Sequence, residues 1–454
     1  SQVVDLTELV ISLLHRTRSL ALYKDVHQDS TFPMLLTAPA PQLKSFACLM
    51  STSAIPSNFF AHQAPKLEEL NLNYALLPNP LPECFVDLKI LKLGISPRTG
   101  WSLIHQLIQK SKRSLRVLDL HGSPPNDDSR NFESKPLHLI GAERLNIHFD
   151  QAGVSTMVKL FSIIRIQSTT LVVLGGSLTT DFPQTEFCHL LQGLRDARGS
   201  AISASHISIL TTFLARRPWE SCITSLNVFD SQEPRVQQGS NVPPVLECRI
   251  GCSGLSRFRQ GVFPFGLDQE YPGVDLSGVV SVSLDFSLPN PQNGEQQTLP
   301  DACKVPLSFW SKIPACREIR VNSTVGFLEL LTLLKRQTEL LHTAQEQRLG
   351  STLQDLQMRG VLHRLENIII ETMEELTVGM VEDLLGYVKV GVECGLPLEL
   401  IRFHGCLVSM LVEELLVGSR IQGVEIDLTG SSGSMIDITL SKGQSRRVSQ
   451  DISS

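Results

Sequence analysis

From residue 43 to residue 120 the chain repeats one spacing of apolar positions, L-x-x-L-x-L, with mostly polar or small residues between them. The clear copies are Leu43/Phe46/Cys48, Leu67/Leu70/Leu72 in "APKLEELNLNYALLP", Leu88/Leu91/Leu93 in "DLKILKL" and Leu115/Leu118/Leu120 in "SLRVLDL". Further copies are Ile223/Leu226/Val228, Leu365/Ile368/Ile370, Leu398/Ile401/Phe403 and Ile421/Val424/Ile426, with looser ones starting at Thr17, Ala142, Leu171, Val245, Val279 and Cys316. The last two apolar places alternate with polar ones, which predicts a short strand with one face buried. The intervals between frames run from 21 to 52 residues, and the 52-residue gap before Ile223 is expected to hold one more unit.

Between the frames the period changes to about 3.6, as in amphipathic helices. "GWSLIHQLIQKSK", "GVSTMVKLFSIIRIQ", "TEFCHLLQGLRDA", "SHISILTTFLARR", "FLELLTLLKRQTELLHTAQEQR" and "VSMLVEELLVG" are predicted helices. The leucines at 328, 331, 334 and 341 are read as core positions rather than a coiled-coil seam. Eight residues after each first apolar place, twelve of fourteen frames carry a Ser, Thr, Asp or Cys, among them Ser51, Ser96, Ser123 and Cys406. Short side chains of this kind satisfy backbone groups where the chain bends between neighbouring coils. Strand, bend and return repeated at this period describe a leucine-rich repeat.

The expected fold is therefore an α/β leucine-rich-repeat solenoid, a horseshoe. Parallel strands line its concave face, and helices or irregular returns its convex face. It is expected as a single irregular domain over residues 1–430. "SQEPRVQQGSNVPP" and "LPNPQNGEQQTLPDA", within about 231–304, read as surface loops because their Pro, Gln, Asn and Gly content does not sustain helices. Residues 431–454 read as a terminal strand or flexible tail.

Composition narrows the function. The chain has 454 residues, 42% of them apolar and 19% charged, enough for a large core. A net charge of -6 with no long basic run gives no electrostatic footprint for nucleic acid. Ten dilute cysteines and no secretory leader point to a reducing compartment, cytoplasmic or nuclear. The most helix-like apolar stretch, "LTVGMVEDLLGYVKVGVECG", is interrupted by Glu382, Asp383 and Lys389, so no membrane span is expected. The sequon at Asn322 is attributed to chance.

No phosphate-binding glycine loop, H-E-x-x-H, EF-hand string or G-x-S-x-G elbow is present, so no catalytic residue, cofactor or metal is assigned. A zinc reading of Cys248 with Cys252, or of Cys394, His404 and Cys406, competes with core packing, and packing is favoured because Cys248 and Cys406 fall on repeat positions. "RRVS", ending at Ser449, has arginines spaced for a basophilic kinase. An enzyme remains the third class, and a convergent acid, base or metal cluster in the loops of 231–304 would support it.

What remains is the strand face between the inward positions. In the first units it is assigned Lys44, Ser45, Ala47, Glu68, Glu69, Asn71, Lys89, Ile90, Lys92, Arg116, Val117 and Asp119. Mixed charge with apolar spots suits a protein partner. The partner-binding candidates are Glu69, Asn71, Lys89, Lys92, Arg116, Asp119, Arg402 and His404.

"FPMLLTAPAPQLKSFACL", "IPSNFFAHQAPKLEELNLNYALLP" and "FVDLKILKLG", after the helix and strand of "LTELVISLLHRTRSLALYK", resemble the repeat region of the F-box and leucine-rich-repeat-like proteins of mushroom-forming fungi. Ile55, Pro56, Phe59 and Phe60 match that family's "lP-x-x-lF" link. The likeness covers about residues 3–125. It implies an adaptor whose F-box holds a Skp-type linker and a cullin ubiquitin ligase while the repeats hold the substrate. No F-box-like "L-P-x-E-I-L-x-x-I-F" occurs in the chain, which opens on Ser1 without Met, so a missing upstream portion is expected. The alternative is a free-standing repeat scaffold with no ligase connection.

Overall fold

A computed structural model describes residues 2–22, 32–48, 55–73, 77–96, 99–122, 136–150, 153–178, 184–213, 221–229, 244, 246–253, 274–287, 305, 307–346, 362–371, 375–419, 421–429 and 438–439. The fold is mixed α/β with largely parallel sheets. It forms two compact units, one of residues 1–202 with 245–249 and one of 203–244 with 250–454.

In the first unit, seven strands lie side by side in chain order and all parallel: β1 (Ser19–Leu22), β2 (Ser45–Cys48), β3 (Glu69–Leu72), β4 (Ile90–Ile95), β5 (Val117–Gly122), β6 (Arg144–Asp150) and β7 (Leu171–Leu178). Parallel neighbours need a return segment between them. Here the returns include α2 (Phe32–Thr37), α3 (Trp101–Ser111) and α4 (Gly153–Ile163), while α1 (Gln2–Leu13) precedes β1 and α5 (Gln184–Arg198) follows β7. Register aligns the apolar places into two rows. One runs Phe46, Leu70, Leu91, Leu118, Leu145, Val172 and the other Cys48, Leu72, Leu93, Leu120, Ile147, Leu174. Every member of both rows is buried. Helix α3 answers with its own stripe, Trp101, Ile104, Leu107, Ile108 and Ser111.

The described part of the return between β2 and β3 holds a short irregular turn at Phe59–His62, and it carries an aromatic plug. Phe59 and Phe60 are fully buried, and both meet Phe46 edge-on at ring-centroid distances of 5.1 and 5.5 Å. Phe59 also meets Phe85 at 5.2 Å, which ties the link to the next return. Ile55 is buried beside them in sequence, so apolar burial accounts for three of the four link residues singled out in the sequence.

The second unit contains β8 (His206–Phe213), β9 (Ser221–Phe229), β10 (Ser281–Ser287), β11 (Glu318–Val321), β12 (Asn367–Ile370), β13 (Leu400–His404), β14 (Glu425–Thr429) and β15 (Ile438–Thr439). From β8 the parallel run is β10, β11, β12, β13, β14, while β9 and β15 pair antiparallel with β8 and β14. Its helices are α6 (Leu307–Ser311), α7 (Thr324–Glu346), α8 (Val378–Glu393) and α9 (Met410–Gly418). Thr377 and Ser409 cap α8 and α9, accepting from Met380 N and Val412 N. Helix α8 ends at Gly395, φ +92°, where Leu396 N bonds Gly391 O and Gly395 N bonds Val392 O. This double bond with a left-handed glycine is the Schellman stop.

Four readings from the sequence are corrected. Residues 205–217, expected as a helix, contain strand β8, because the β-branched residues of "HISILTTF" favour the pleated form. It lies in the gap where a further unit was expected. The strand holding Ile223, Leu226 and Val228 is antiparallel to β8, so that frame is not one of the parallel series. At Leu171 the register is two residues earlier: Val172 and Leu174 align with Leu145 and Ile147, and Leu171 is half-exposed. Its third place would have fallen on Gly176, which has no side chain to bury. The frame at Ile421 errs the other way, two residues too early. Ile426 aligns with Ile401, Ile426 and Leu428 are buried, and Ile421 and Val424 are half-exposed. The first place is taken by Gly423, whose φ of +87° makes the turn into β14.

Candidate binding faces of the two sheets

Residues between the buried rows emerge on the opposite, open face of each sheet. In the first unit, parallel register puts Ser45, Glu69, Ile90, Val117, Arg144 and Leu171 in one row and Ala47, Asn71, Lys92, Asp119, Asn146 and Val173 in the next. Neighbours in a row belong to strands about 4.8 Å apart, so short polar side chains reach one another. Ser45 Oγ donates to Glu69 Oε2 at 2.9 Å, and Lys92 Nζ stands 3.8 Å from Glu69 Oε1. Arg144 Nε donates to Asn146 Oδ1 at 2.7 Å, and Asn146 Nδ2 to Asp119 Oδ2 at 3.1 Å.

Asp119 also has His121 Nδ1 at 3.7 Å, a polar contact too long for a hydrogen bond. Partial burial pushes the Asp119 carboxyl up, but the interactions with His121 and Asn146 and the charge of Lys92 outweigh it. Its pKa lies below the ordinary 3.8. His121 Nε2 pairs with Asn73 Oδ1 at 3.1 Å. On the next strand His148 lies so close to Gly175 that any side chain there would meet its Nδ1.

Of the eight predicted contact residues, Glu69, Asn71, Lys92 and Asp119 lie together on this face. Lys89 and Arg116 do not. Each stands one residue before its strand, at the sheet's edge, paired there with Glu68 at 2.9 Å and Glu143 at 3.0 Å. The same edge position holds for Lys44 and Glu68. Parity explains the difference: the residue just before the strand shares its parity with the inward row, and it is exposed only because the sheet has ended.

The other two predicted residues, Arg402 and His404, lie on the open face of the second unit. Arg402 Nε donates to Asp427 Oδ2 at 2.7 Å, and His404 is exposed at the end of β13. Around them the register sets Ser283, Arg320, Ile369, Arg402 and Asp427 in one row, with Ser281, Glu318, Asn367, Leu400 and Glu425 alongside. Glu318 Oε1 accepts from both Arg320 Nε, at 2.7 Å, and Ser281 Oγ, at 3.2 Å. Asn322 Nδ2 reaches Ser283 Oγ at 3.4 Å, so the sequon amide is engaged with a neighbouring strand.

Sequence reasoning missed His121, Arg144, Asn146 and His148, and Asp285, Glu318, Arg320, Asn322, Glu371 and Asp427. Their signal was present. The places one before and one after the second frame residue point outward, and extending that rule from the first units to Ala142 and Cys316 names Arg144, Asn146, Glu318 and Arg320; the others lie further along their strands or in other frames.

At the bend, Cys406 acts as the sequence predicts. Cys406 Sγ, buried, donates to Ile370 O at 3.2 Å, from one coil to the strand of its neighbour. In the coil of β11 the corresponding hydroxyl is Ser323, seven rather than eight places on. Its Oγ accepts from Gly326 N and from Phe286 N, both at 3.1 Å. Burial pushes the Cys316 thiol up to about 12 and the Cys84 thiol up to about 11, so neither presents a thiolate near neutral pH.

Among the described residues no group of three or more His, Cys, Asp or Glu is placed to hold a metal ion. No helix among them is long and apolar enough to cross a membrane. The side chains of Cys248 and Cys252, Ser449 of the kinase-like string and most of 231–304 lie outside the described residues. Comparison with protein-family models, curated proteins and solved structures gave no match to the chain.

Proposed function

We propose that the chain is a non-catalytic leucine-rich-repeat region that binds a protein partner on its open strand faces. The observation that carries this reading is the pairing of two buried apolar rows with partly exposed, mixed-charge rows on the same parallel strands. Such a face offers hydrogen-bonding and charged groups on a rigid frame, with Ile90, Val117, Leu171 and Leu400 as partly exposed apolar spots. That mixture fits a protein interface better than a phosphate polymer. The role we assign is substrate recognition within an F-box-type adaptor of a cullin ubiquitin ligase, in a reducing intracellular compartment. The ligase part of this reading is supported by the resemblance of residues 3–125.

Two experiments test the proposal. Partners are recovered on the whole chain and on two face variants, Asn71→Arg/Lys92→Glu and Leu400→Asp/Arg402→Glu, with Glu382→Lys on helix α8 as the control. Loss from a face variant and retention by the control is expected; loss only with the helix variant contradicts the face. For the ligase connection, the coding sequence upstream of Ser1 is determined and the extended chain is tested for a Skp-type linker. The extended chain should bind and the present chain should not. Tight binding by the present chain, or an upstream region without a docking helix, overturns the adaptor role.

A further inference from the structure

We propose that the open face of the second unit receives a basic, arginine-bearing segment of the protein partner. The inference rests on the protein-binding reading above and specifies the partner's chemistry.

Charge on this face is unevenly matched. Its described rows carry the carboxylates of Asp285, Glu318, Glu371, Glu425 and Asp427 against the guanidiniums of Arg320 and Arg402. Both guanidiniums are already held, by Glu318 and Asp427, each at 2.7 Å. Asp285, Glu371 and Glu425 are left with no cation among the described residues. The first unit differs: on its open face Glu69 and Asp119 are balanced by Lys92 and Arg144.

A separate observation concerns hydrogen bonding rather than charge. Asn322 N bonds Leu284 O and Glu371 N bonds Val321 O, so the backbone continues the register past β11 and β12. Asn322 therefore stands between Asp285 and Glu371 in a third row. Its Oδ1 and Glu371 Oε2 are both shielded from water and have no donor. Buried acceptors without a donor are uncommon in folded proteins, and each has a stabilising interaction still to gain. Both residues are partly exposed overall, so a side-chain turn presents the oxygen. Asp285 belongs to the same row, and only burial acts on its carboxyl, raising it with no cation to offset the effect.

Every unmet group in this row is an acceptor. Asp285 and Glu371 lie two strands apart, about 9.6 Å between backbones. A guanidinium carries five donors in a flat fork and remains charged, which suits several acceptors spread across neighbouring strands. An ammonium supplies the charge without the fork. An acidic segment would add repulsion to an already negative face.

The test uses the whole chain and fluorescein-labelled twelve-residue peptides alternating Ser with Arg, Lys or Glu, followed by anisotropy at fixed salt. The Arg peptide should bind, more tightly than the Lys peptide, and the Glu peptide should not. Asp285→Asn/Glu371→Gln should weaken the Arg peptide at least tenfold, whereas Asp119→Asn, on the first unit's face, should change it less than twofold. Glu425→Gln, which removes an outlying charge without touching the buried row, should weaken it about two- to fivefold and guards against misfolding of the double variant. Equal binding of Arg and Glu peptides, or an unchanged affinity in both second-unit variants, overturns the inference. A partner that is lost from the face variants yet docks a neutral or acidic segment there also overturns it, while leaving the protein-binding reading intact. A partner indifferent to every face variant sinks that reading instead.

Discussion

Leu118→Ala removes three carbons from the middle of the first unit's inner row. The side chain has no exposed area, and its register partners Leu91 and Leu145 have none either. Neighbours fixed in a hydrogen-bonded ladder move little to fill a gap. Transfer of about three methylene equivalents at ~0.8 kcal/mol each gives about 2.4 kcal/mol. A residual void of about 50 Å3 at ~24 cal/mol per Å3 adds about 1.2 kcal/mol. The expected loss is therefore about 3.6 kcal/mol, within the usual range of about 2–5 kcal/mol for such changes. For a unit of this size, about 2–4 °C per kcal/mol converts it to a fall of roughly 7–14 °C in the first unit's calorimetric transition. Leu70→Ala, equally buried in the same row, should behave alike. Glu69→Ala, on the open face with a 3.8 Å ion pair to Lys92, should cost less than about 1 kcal/mol. Equal shifts for Leu118→Ala and Glu69→Ala would refute the inward register.

Cys406→Val keeps a buried apolar side chain but removes the donor to Ile370 O, so it should be less stable than Cys406→Ser by about 1 kcal/mol in urea titrations. Gly326→Ala should destabilise the second unit by about 1–3 kcal/mol, although alanine favours helices, because the new Cβ would crowd Val321 Cγ1, Ser323 Oγ and Leu284 O; a gain in melting temperature contradicts this. Asp119 has a lowered pKa in the folded chain, so its stabilisation is complete above 3.8 and lost as pH falls through the lower folded value. Asp119→Asn should therefore flatten the loss of stability between about pH 5 and pH 2, and an unchanged acid limb counts against the network.

The inward strands of the first unit were legible because leucine fills all three places of the frames at Leu67, Leu88 and Leu115, and a period of two with β-branched or leucine side chains has one sensible burial. The signal failed at two frames whose first place is not apolar, although the frame at Thr17 gave the observed register of β1. Gly423 and Thr169 hold the first places before β14 and β7, and an apolar residue two positions away drew the eye. Strand β8 was hidden by its composition: Ile207, Leu210 and Phe213 also fit one helical face, and pairing with β9 and β10, not local spacing, decides the outcome. On the open faces, parity was readable from single residues. The Arg320–Glu318 and Arg402–Asp427 pairings depend on which strands become neighbours, and the orphaned Glu371 oxygen depends on rotamers that no spacing encodes.

The most direct test of the binding-face account is hydroxyl-radical footprinting of the whole chain with and without its captured partner. Protection should fall on open-face side chains such as Ile90, Leu171, His148, Leu400 and His404. Protection confined to exposed helix side chains such as Leu9, Met410 and Leu411, with the strand faces unchanged, would contradict it.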